Sequence, residues 1–174
     1  IWADFRRLER ITKPLSSLDN QRFVFFPLHL EPESALQALS PEYLYQLSAI
    51  TALSRDLPVG VYLALKETFA GIGRRPRDFY QQVADLKNVV FIDTMELGAD
   101  VVRSAAAVAT INGTAGMEAA LEGKPVIVFG KHNLYECIPH VHRIDDESEL
   151  KQTLANSLDG AIDYQANREA GARY

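Results

Sequence analysis

Residues 111–130 read INGTAGMEAALEGKPVIVFG. A loop of small residues from Asn112 to Gly116 leads into a short helical pattern that stops at Gly123, and the apolar run VIVF follows. The order is that of a helix between two strands, since the apolar run AAVATI comes just before it. Two interpretations stay open from these residues. The loop is either a phosphate-binding turn at the end of a parallel strand or a structural corner in which glycines allow a tight turn.

The composition indicates one soluble globular domain. The chain has 174 residues, of which 47% are hydrophobic and 24% are charged. A net charge of −5 is not typical of a general nucleic-acid binder, and the single cysteine excludes an intrachain disulfide framework. There is no pattern of a secretion signal or a membrane span, so we expect a cytoplasmic protein. The chain lacks an initial Met, from which we expect a piece of a longer protein.

Apolar runs alternate with helical patterns along most of the chain. Five strands are predicted at RFVFFPL, VGVYLALK, NVVFID, AAVATI and PVIVFG, and a short sixth strand around residues 142–144. Helices are predicted near the start of the chain and over residues 41–57, 77–86, 95–105, 114–121 and 146–158. Strands that are apolar throughout are typical of a parallel sheet covered on both faces. The sequence therefore predicts a doubly wound, Rossmann-like α/β domain of five to six strands over residues 21–160, followed by a polar tail over 161–174.

Ligands of such sheets bind at the carboxyl ends of the strands. His29 follows the first predicted strand, Lys66 ends the second, and the loop Gly113–Gly116 follows the fourth. Gly113 and Gly116 allow close approach to backbone N–H groups at a helix N-terminus, and the Thr114 hydroxyl can cap that helix or donate to a phosphate. Glu118 lies one turn after Thr114 on the same side of the helix, where its carboxylate can accept from ribose hydroxyls.

Each of these residues also has a structural interpretation. His29 suits a structural histidine, Lys66 a strand-end lysine paired with Glu67, and Glu118 a solvated helix residue. The basic run with Arg74, Arg75 and Arg77 is more typical of a solvated helix start. The remaining histidines lack the spacing of metal ligands, so no metal site is expected, and Cys137 is expected to be a packed thiol.

Three segments together resemble the capsule polysaccharide biosynthesis proteins, a family of bacterial surface-carbohydrate glycosyltransferases that includes Kdo-transferring enzymes. FPLHLEPES, residues 26–34, resembles the family's Phe-Pro-Leu-His-x-x-Pro-Glu signature. LALKE, residues 63–67, resembles a strand that ends in Lys-Glu-His-Pro, and residues 111–130 resemble the Gly-Thr-x-Gly-x-Glu-Ala segment. The last motif is shared more loosely with other glycosyltransferases of the two-domain GT-B fold and with UDP-sugar 2-epimerases.

The resemblance implies the C-terminal, donor-binding half of a GT-B glycosyltransferase. Residues 1–20 would then be an interdomain connector helix and loop, and an N-terminal Rossmann-like half would supply the acceptor site and the catalytic base, unless His29 serves as that base. By resemblance, His29 and Lys66 meet the donor phosphate, and Glu67, next to Lys66 in the motif, is also expected among the nucleotide-sugar-binding residues. Gly113, Thr114, Ala115 and Gly116 form the phosphate cradle, and Glu118 holds the ribose.

The resemblance also implies the partners. The donor is a nucleotide-sugar, CMP- or UDP-linked, and the acceptor is a polysaccharide or a lipid-linked glycan, with no bound cofactor and with peripheral contact at the inner membrane face. One departure from the family pattern stands out, because Thr68-Phe69 replaces the family's His-Pro. This departure leaves open a non-catalytic module that binds nucleotide-sugars or organises an assembly. A UDP-sugar 2-epimerase-like domain is the other alternative, because such enzymes share the double-Rossmann build.

Overall fold

A seven-stranded parallel sheet forms the centre of the protein. The computed structural model describes residues 2–31, 33–159 and 162–173. The strands are β1 (Thr12–Lys13), β2 (Arg22–Pro27), β3 (Val61–Lys66), β4 (Val89–Ile92), β5 (Ala107–Thr110), β6 (Val126–Val128) and β7 (Val141–Arg143). Five of the six predicted strands are β2 to β6, and β7 is the predicted short one. The doubly wound parallel fold is confirmed.

The strand order in the sheet is β1-β4-β3-β2-β5-β6-β7. Without β1, this is the 3-2-1-4-5-6 order of the dinucleotide-binding Rossmann sheet. The strand β1 was not predicted, and it lies in the segment expected to be a connector helix and loop. It has only two residues, and Thr12 pairs with Phe91 of β4 at the edge of the sheet. A polar dipeptide before a proline has no strand pattern of its own, so the pairing depends on its neighbour.

Helices cover both faces of the sheet. They are α1 (Trp2–Ile11), α2 (Ser34–Leu39), α3 (Leu47–Asp56), α4 (Phe79–Ala84), α5 (Gly98–Ser104), α6 (Thr114–Leu121), α7 (Leu150–Asp159) and α8 (Tyr164–Gly171). Strand β2 illustrates the two buried faces, because Val24 and Phe26 belong to one apolar cluster while Phe23 and Phe25 belong to the other. Successive strand residues point to opposite faces, so an all-apolar strand requires a layer on each side.

The helices differ from the predicted ones mainly at their starts. The pattern expected from Pro41 is a short 3-10 turn, Pro41–Tyr43, and α3 begins only at Leu47. The helix α2 was not predicted, since its segment is short and begins within a loop rich in Pro and Glu. The helix α6 has the predicted bounds. No helix among the described residues is long and apolar enough to cross a membrane.

The segment expected to be a polar tail contains α8, which packs against the end of α6. Asn167 Nδ2 donates to the Gly123 carbonyl at 3.0 Å, and Arg168 Nε donates to the Glu122 carbonyl at 2.9 Å. Gly123 has φ +77°, and a Cβ there would lie 2.4 Å from the Tyr164 carbonyl oxygen. The helix was not predicted because its sequence lacks a strong apolar stripe. Its hydrogen bonds to the turn after α6 are polar contacts with a distant segment, which a local sequence pattern does not reveal.

We expect Gly123→Ala to destabilise the protein more than Gly60→Ala. Both glycines have positive φ, but a Cβ at Gly60 meets nothing within 4 Å. Gly60→Ala should cost about 1 kcal/mol from the backbone conformation alone. Gly123→Ala should cost about 1–3 kcal/mol more because α8 must shift. Urea unfolding measures both free energies, and equal losses would contradict the packing of α8 on this turn.

Candidate functional site

Strands β2 and β5 are neighbours at the point where the strand order of the sheet reverses. After β2 the chain continues towards β3 and β4, and after β5 it continues towards β6 and β7. Ligands of open parallel sheets bind at this switch point, outside the carboxyl ends of the two strands. The residues that leave the sheet there are His29, after β2, and Asn112 to Thr114, after β5. The structure therefore brings two of the predicted segments together.

His29 is buried between these two loops, with 8% of its surface exposed. The Asn112 backbone N–H donates to His29 Nε2 at 3.2 Å, and Thr110 Oγ1 lies 3.3 Å from the same nitrogen. Because Nε2 accepts a hydrogen bond, the ring is neutral with its proton on Nδ1. Burial, aided by the nearby Arg75 charge, lowers the pKa of His29 to about 4. The side chain thus joins the two loops.

The glycines of the β5–α6 loop are packed against the protein's own side chains. A Cβ at Gly113 would lie 2.7 Å from Thr110 Oγ1, and one at Gly116 would lie 2.5 Å from the Tyr135 hydroxyl oxygen. The Gly113 N–H donates to Thr110 Oγ1 at 3.0 Å, and the Tyr135 hydroxyl donates to the Gly113 carbonyl at 2.9 Å. The structural interpretation of the loop is therefore confirmed, since the glycines allow a tightly packed turn, and its role as a phosphate-binding turn stays a prediction.

The first turn of α6 presents backbone donors at this edge. Gly113 precedes the helix and provides no side-chain cap, and the Gly116 N–H bonds to the Gly113 carbonyl. No group in the described part of the chain accepts a hydrogen bond from the N–H of Thr114 or Ala115. Thr114 is exposed. Two free N–H groups and the positive end of the helix dipole make this turn suitable for an anion.

Lys66 is the last residue of β3, the strand next to β2, and it lies opposite Pro27 in the register of the two strands. The side chain is half-buried, and burial lowers the pKa of its ammonium while Asp93, Glu67 and Glu96 oppose that shift. Its Nζ makes no ion pair or hydrogen bond with any described residue. The predicted alternative, a pair with Glu67, is therefore not formed, and the ammonium remains available to a ligand.

Glu67 is fully buried and pairs with Arg75 instead. Arg75 Nε lies 2.7 Å from Glu67 Oε2 and Arg75 Nη2 lies 3.0 Å from Oε1. The Tyr80 hydroxyl and the Thr68 N–H donate to the same carboxylate at 2.9 Å each. With four donors on its two oxygens, Glu67 has no position for a nucleotide-sugar. The prediction that Glu67 binds the nucleotide-sugar is thus corrected, because Glu67 is a buried structural residue.

Glu118 lies on the exposed surface of α6, as expected. It borders a concavity of about 310 Å³ between α5 and α6, together with Ala99, Val102 and Arg103. No described residue bonds to its carboxylate. Its predicted role in holding a ribose stays a prediction.

The contacts of two residues at this edge were not foreseen from the sequence. The Asn112 side chain bridges three loops, because its Nδ2 donates to Ser40 Oγ at 2.9 Å and its Oδ1 accepts from Asn133 Nδ2 at 3.1 Å. Arg75 was expected on a solvated helix start but is buried. Gly71 leaves the space for this burial, since a Cβ there would clash with the Glu67 carboxylate. Among the described residues, no three His, Cys, Asp or Glu side chains gather as a metal site would require.

Comparisons with known proteins agree with this fold. A family model described as "Capsule polysaccharide biosynthesis protein" matches residues 3–138. No curated protein sequence matches the chain. Several solved structures do, all below 25% identity, so the similarity concerns the fold.

One such structure is the beta Kdo 2,7 transferase of Thermosulfurimonas dismutans KpsC, with 19% identity, a TM-score of 0.56 and coverage of 89% of this chain and 53% of that chain. Another is Anabaena Alr3699/HepE in complex with UDP-glucose, with 19% identity, a TM-score of 0.64 and coverage of 98% of this chain and 47% of that chain. A third is the spinosyn rhamnosyltransferase SpnG complexed with thymidine diphosphate, with 13% identity, a TM-score of 0.57 and coverage of 92% and 44%. The chain spans about half the length of these structures, as one half of a GT-B fold does.

We expect His29 to make stability depend on pH below neutrality. Its folded pKa of about 4 lies below the ordinary 6.5, so between these values the unfolded chain binds more protons and stability falls as the pH falls. From pH 7 to pH 5 this group should cost about 2 kcal/mol. Urea unfolding of wild type and His29→Gln at both pH values isolates this contribution. An identical pH dependence for the two proteins would contradict the buried neutral ring.

Proposed function

The chain belongs to the capsule polysaccharide biosynthesis protein family, and from that premise we propose that it is the donor-binding domain of a glycosyltransferase. The donor is a nucleotide-sugar, and the acceptor is a capsule or surface polysaccharide or its lipid-linked form. The observation that carries this proposal is the free N-terminal turn of α6, which presents the N–H groups of Thr114 and Ala115 at the switch point between β2 and β5.

The phosphate groups of the donor would bind at this turn. Thr114 and Ala115 supply two backbone donors, the Thr114 hydroxyl supplies a third, and the helix dipole adds positive potential. Gly113 and Gly116 keep the turn narrow and packed on Thr110 and Tyr135. Lys66, whose ammonium makes no hydrogen bond or ion pair with the described residues, supplies the balancing charge from the end of β3.

The ribose would bind along α6, beside the phosphates. Glu118 is one turn from Thr114, and its exposed carboxylate can accept hydrogen bonds from two adjacent hydroxyl groups. The concavity that it borders leaves room for the sugar ring against α5. A charged acceptor that bonds two hydroxyls contributes more than a neutral one, so this contact should carry a large share of the affinity.

The chemistry assigned to these residues is stabilisation of the leaving group. As the bond from the sugar to the phosphate breaks, negative charge grows on the departing nucleotide. Preorganised N–H groups, the helix dipole and the Lys66 ammonium stabilise that charge. The acceptor site and the base that deprotonates the acceptor belong to a partner half of the same protein, also Rossmann-like, at the cytoplasmic face of the inner membrane.

A non-catalytic binding module is the second candidate, and one observation favours it. Thr68 and Phe69 replace the His-Pro of the family pattern, and both side chains are exposed at the end of β3. A hydroxyl and a phenyl ring do not supply the charge of a histidine near a phosphate. Nucleotide binding without sugar transfer by the whole protein would support this candidate.

We expect Glu118→Ala to weaken nucleotide binding by about ten- to hundredfold, because two charge-assisted hydrogen bonds are lost. Isothermal titration with UDP, CDP, GDP, dTDP and CMP measures the dissociation constants. Glu169→Ala is the matched control, since Glu169 is exposed on α8, away from the carboxyl edge. If no nucleotide binds wild type at millimolar concentration, the donor-domain proposal fails. If Glu118→Ala binds like the control, Glu118 is not the ribose contact.

We expect Lys66→Met to weaken binding of a nucleotide while leaving the corresponding nucleoside almost unaffected. The ammonium meets only the phosphate, so its loss should raise the dissociation constant of the nucleotide about tenfold. Saturation-transfer NMR with uridine and UDP, or with the pair that binds best, separates the two contributions. Lys151→Met, on the exposed surface of α7, is the control. Equal weakening of nucleoside and nucleotide would remove Lys66 from the phosphate site.

A further inference from the structure

The guanidinium of Arg75 is buried at the end of the loop that follows β3. Its side chain is 1% exposed, and a bidentate contact with Glu67 holds one edge of the planar group. Its Nη1 lies 3.3 Å from Glu31 Oε1, a second carboxylate. A buried arginine needs such partners, because an unpaired charge in the protein interior is strongly destabilising. The two hydrogen bonds to Glu67 therefore orient the guanidinium, and Glu31 adds a second charge partner.

The same guanidinium reaches across to the loop that follows β2. Arg75 Nη2 donates to the His29 carbonyl at 2.5 Å. Gln46, itself fully buried, holds the same residue from the other side: its Nε2 donates to the His29 carbonyl at 2.8 Å and its Oε1 accepts from the His29 N–H at 2.7 Å. Three hydrogen bonds thus hold the His29 backbone, and the imidazole ring that it carries is buried.

The ring in turn fixes the start of the phosphate cradle. His29 Nε2 accepts from the Asn112 N–H, and Asn112 directly precedes Gly113 and the free N–H groups of α6. A shift of the ring would move the peptide of Asn112 and tilt the donors that follow it. Catalytic and binding donors lose effect when displaced by fractions of an ångström to an ångström.

We propose that Arg75 is a positioning residue for the donor phosphate, which it never touches. It acts through the His29 backbone and ring on the Asn112–Ala115 turn, and Glu67 keeps the guanidinium in place. The proposal rests on the proposed function for the identity of the ligand. The low pKa of His29 is consistent with it, since a ring protonated at Nε2 could not accept from Asn112.

Arg75→Lys tests the proposal, because it keeps a positive charge for Glu67 but replaces a planar fork by a single ammonium. We expect the dissociation constant of UDP, or of the nucleotide that binds best, to rise about tenfold, while that of the matching nucleoside changes less than twofold. A role in stability alone would not produce this split. Arg74→Lys is the matched control, since Arg74 is the exposed neighbour and its side chain makes no hydrogen bond or ion pair with another described residue.

A readout without nucleotide separates this proposal from the proposed function. In Arg75→Lys, the amide resonances of Asn112 and Thr114 and the ring nitrogens of His29 should shift in NMR spectra, whereas Arg74→Lys should leave them unchanged. Unshifted resonances would overturn the coupling even if nucleotides bind. Shifted resonances in a protein that binds no nucleotide would support the coupling and reject the donor-domain function.

A second variant covers the case in which Arg75→Lys does not fold. Gln46→Met removes the other support of the His29 backbone and retains the charges of Glu67 and Arg75. Like Arg75→Lys, it should weaken the affinity for the nucleotide about tenfold and leave the affinity for the nucleoside almost unchanged. Unchanged nucleotide affinity in a folded variant, or equal loss of nucleotide and nucleoside affinity, would overturn the proposal.

Discussion

The buried ion pair between Glu67 and Arg75 is the interaction on which the carboxyl edge of this sheet depends. Glu67 is fully buried, so its charge requires the guanidinium, and loss of either partner should cost about 3–5 kcal/mol. The pair does more than neutralise itself. By holding Arg75 against the His29 carbonyl, it ties the loop after β3 to the loop after β2. Gly71 leaves the space that the carboxylate occupies.

From that pair, a chain of contacts leads to the open turn of α6. The neutral ring of His29 crosses from the β2 loop to the β5 loop, and Asn112 links the latter to the loop after β6 through Asn133. The loops after β2, β3, β5 and β6 are thereby linked through hydrogen bonds of a few polar side chains. At this edge the N–H groups of Thr114 and Ala115 donate to no group in the described part of the chain, and the Lys66 ammonium makes no hydrogen bond or ion pair there. Loops linked by hydrogen bonds, with unused backbone donors beside them, suit an anion site because preorganised donors need little rearrangement on binding.

The sequence predicted what depends on local pattern and missed what depends on distant partners. Apolar strands and the glycine-bounded α6 were found correctly, because period and turn chemistry are local. The strand β1 was missed, since two residues become a strand only by pairing with β4. Arg75 was misread for a similar reason: charge and flanking glycines suggest a solvated turn, and only the fold brings Glu67, Glu31 and the His29 carbonyl around it. The position of the candidate site was predicted from the ends of the strands, but the buried contacts that hold its loops are visible only in the tertiary structure.

The most direct measurement is the response of backbone amides to a nucleotide and to its nucleoside. In two-dimensional NMR spectra, titration with the nucleoside diphosphate that binds best should shift the amide resonances of Thr114 and Ala115 strongly, and the nucleoside alone should shift them little. That difference would locate the phosphate at the free turn of α6. Nucleotide-induced shifts that cluster elsewhere, with Thr114 and Ala115 unaffected, would contradict the assignment of this turn as the phosphate cradle.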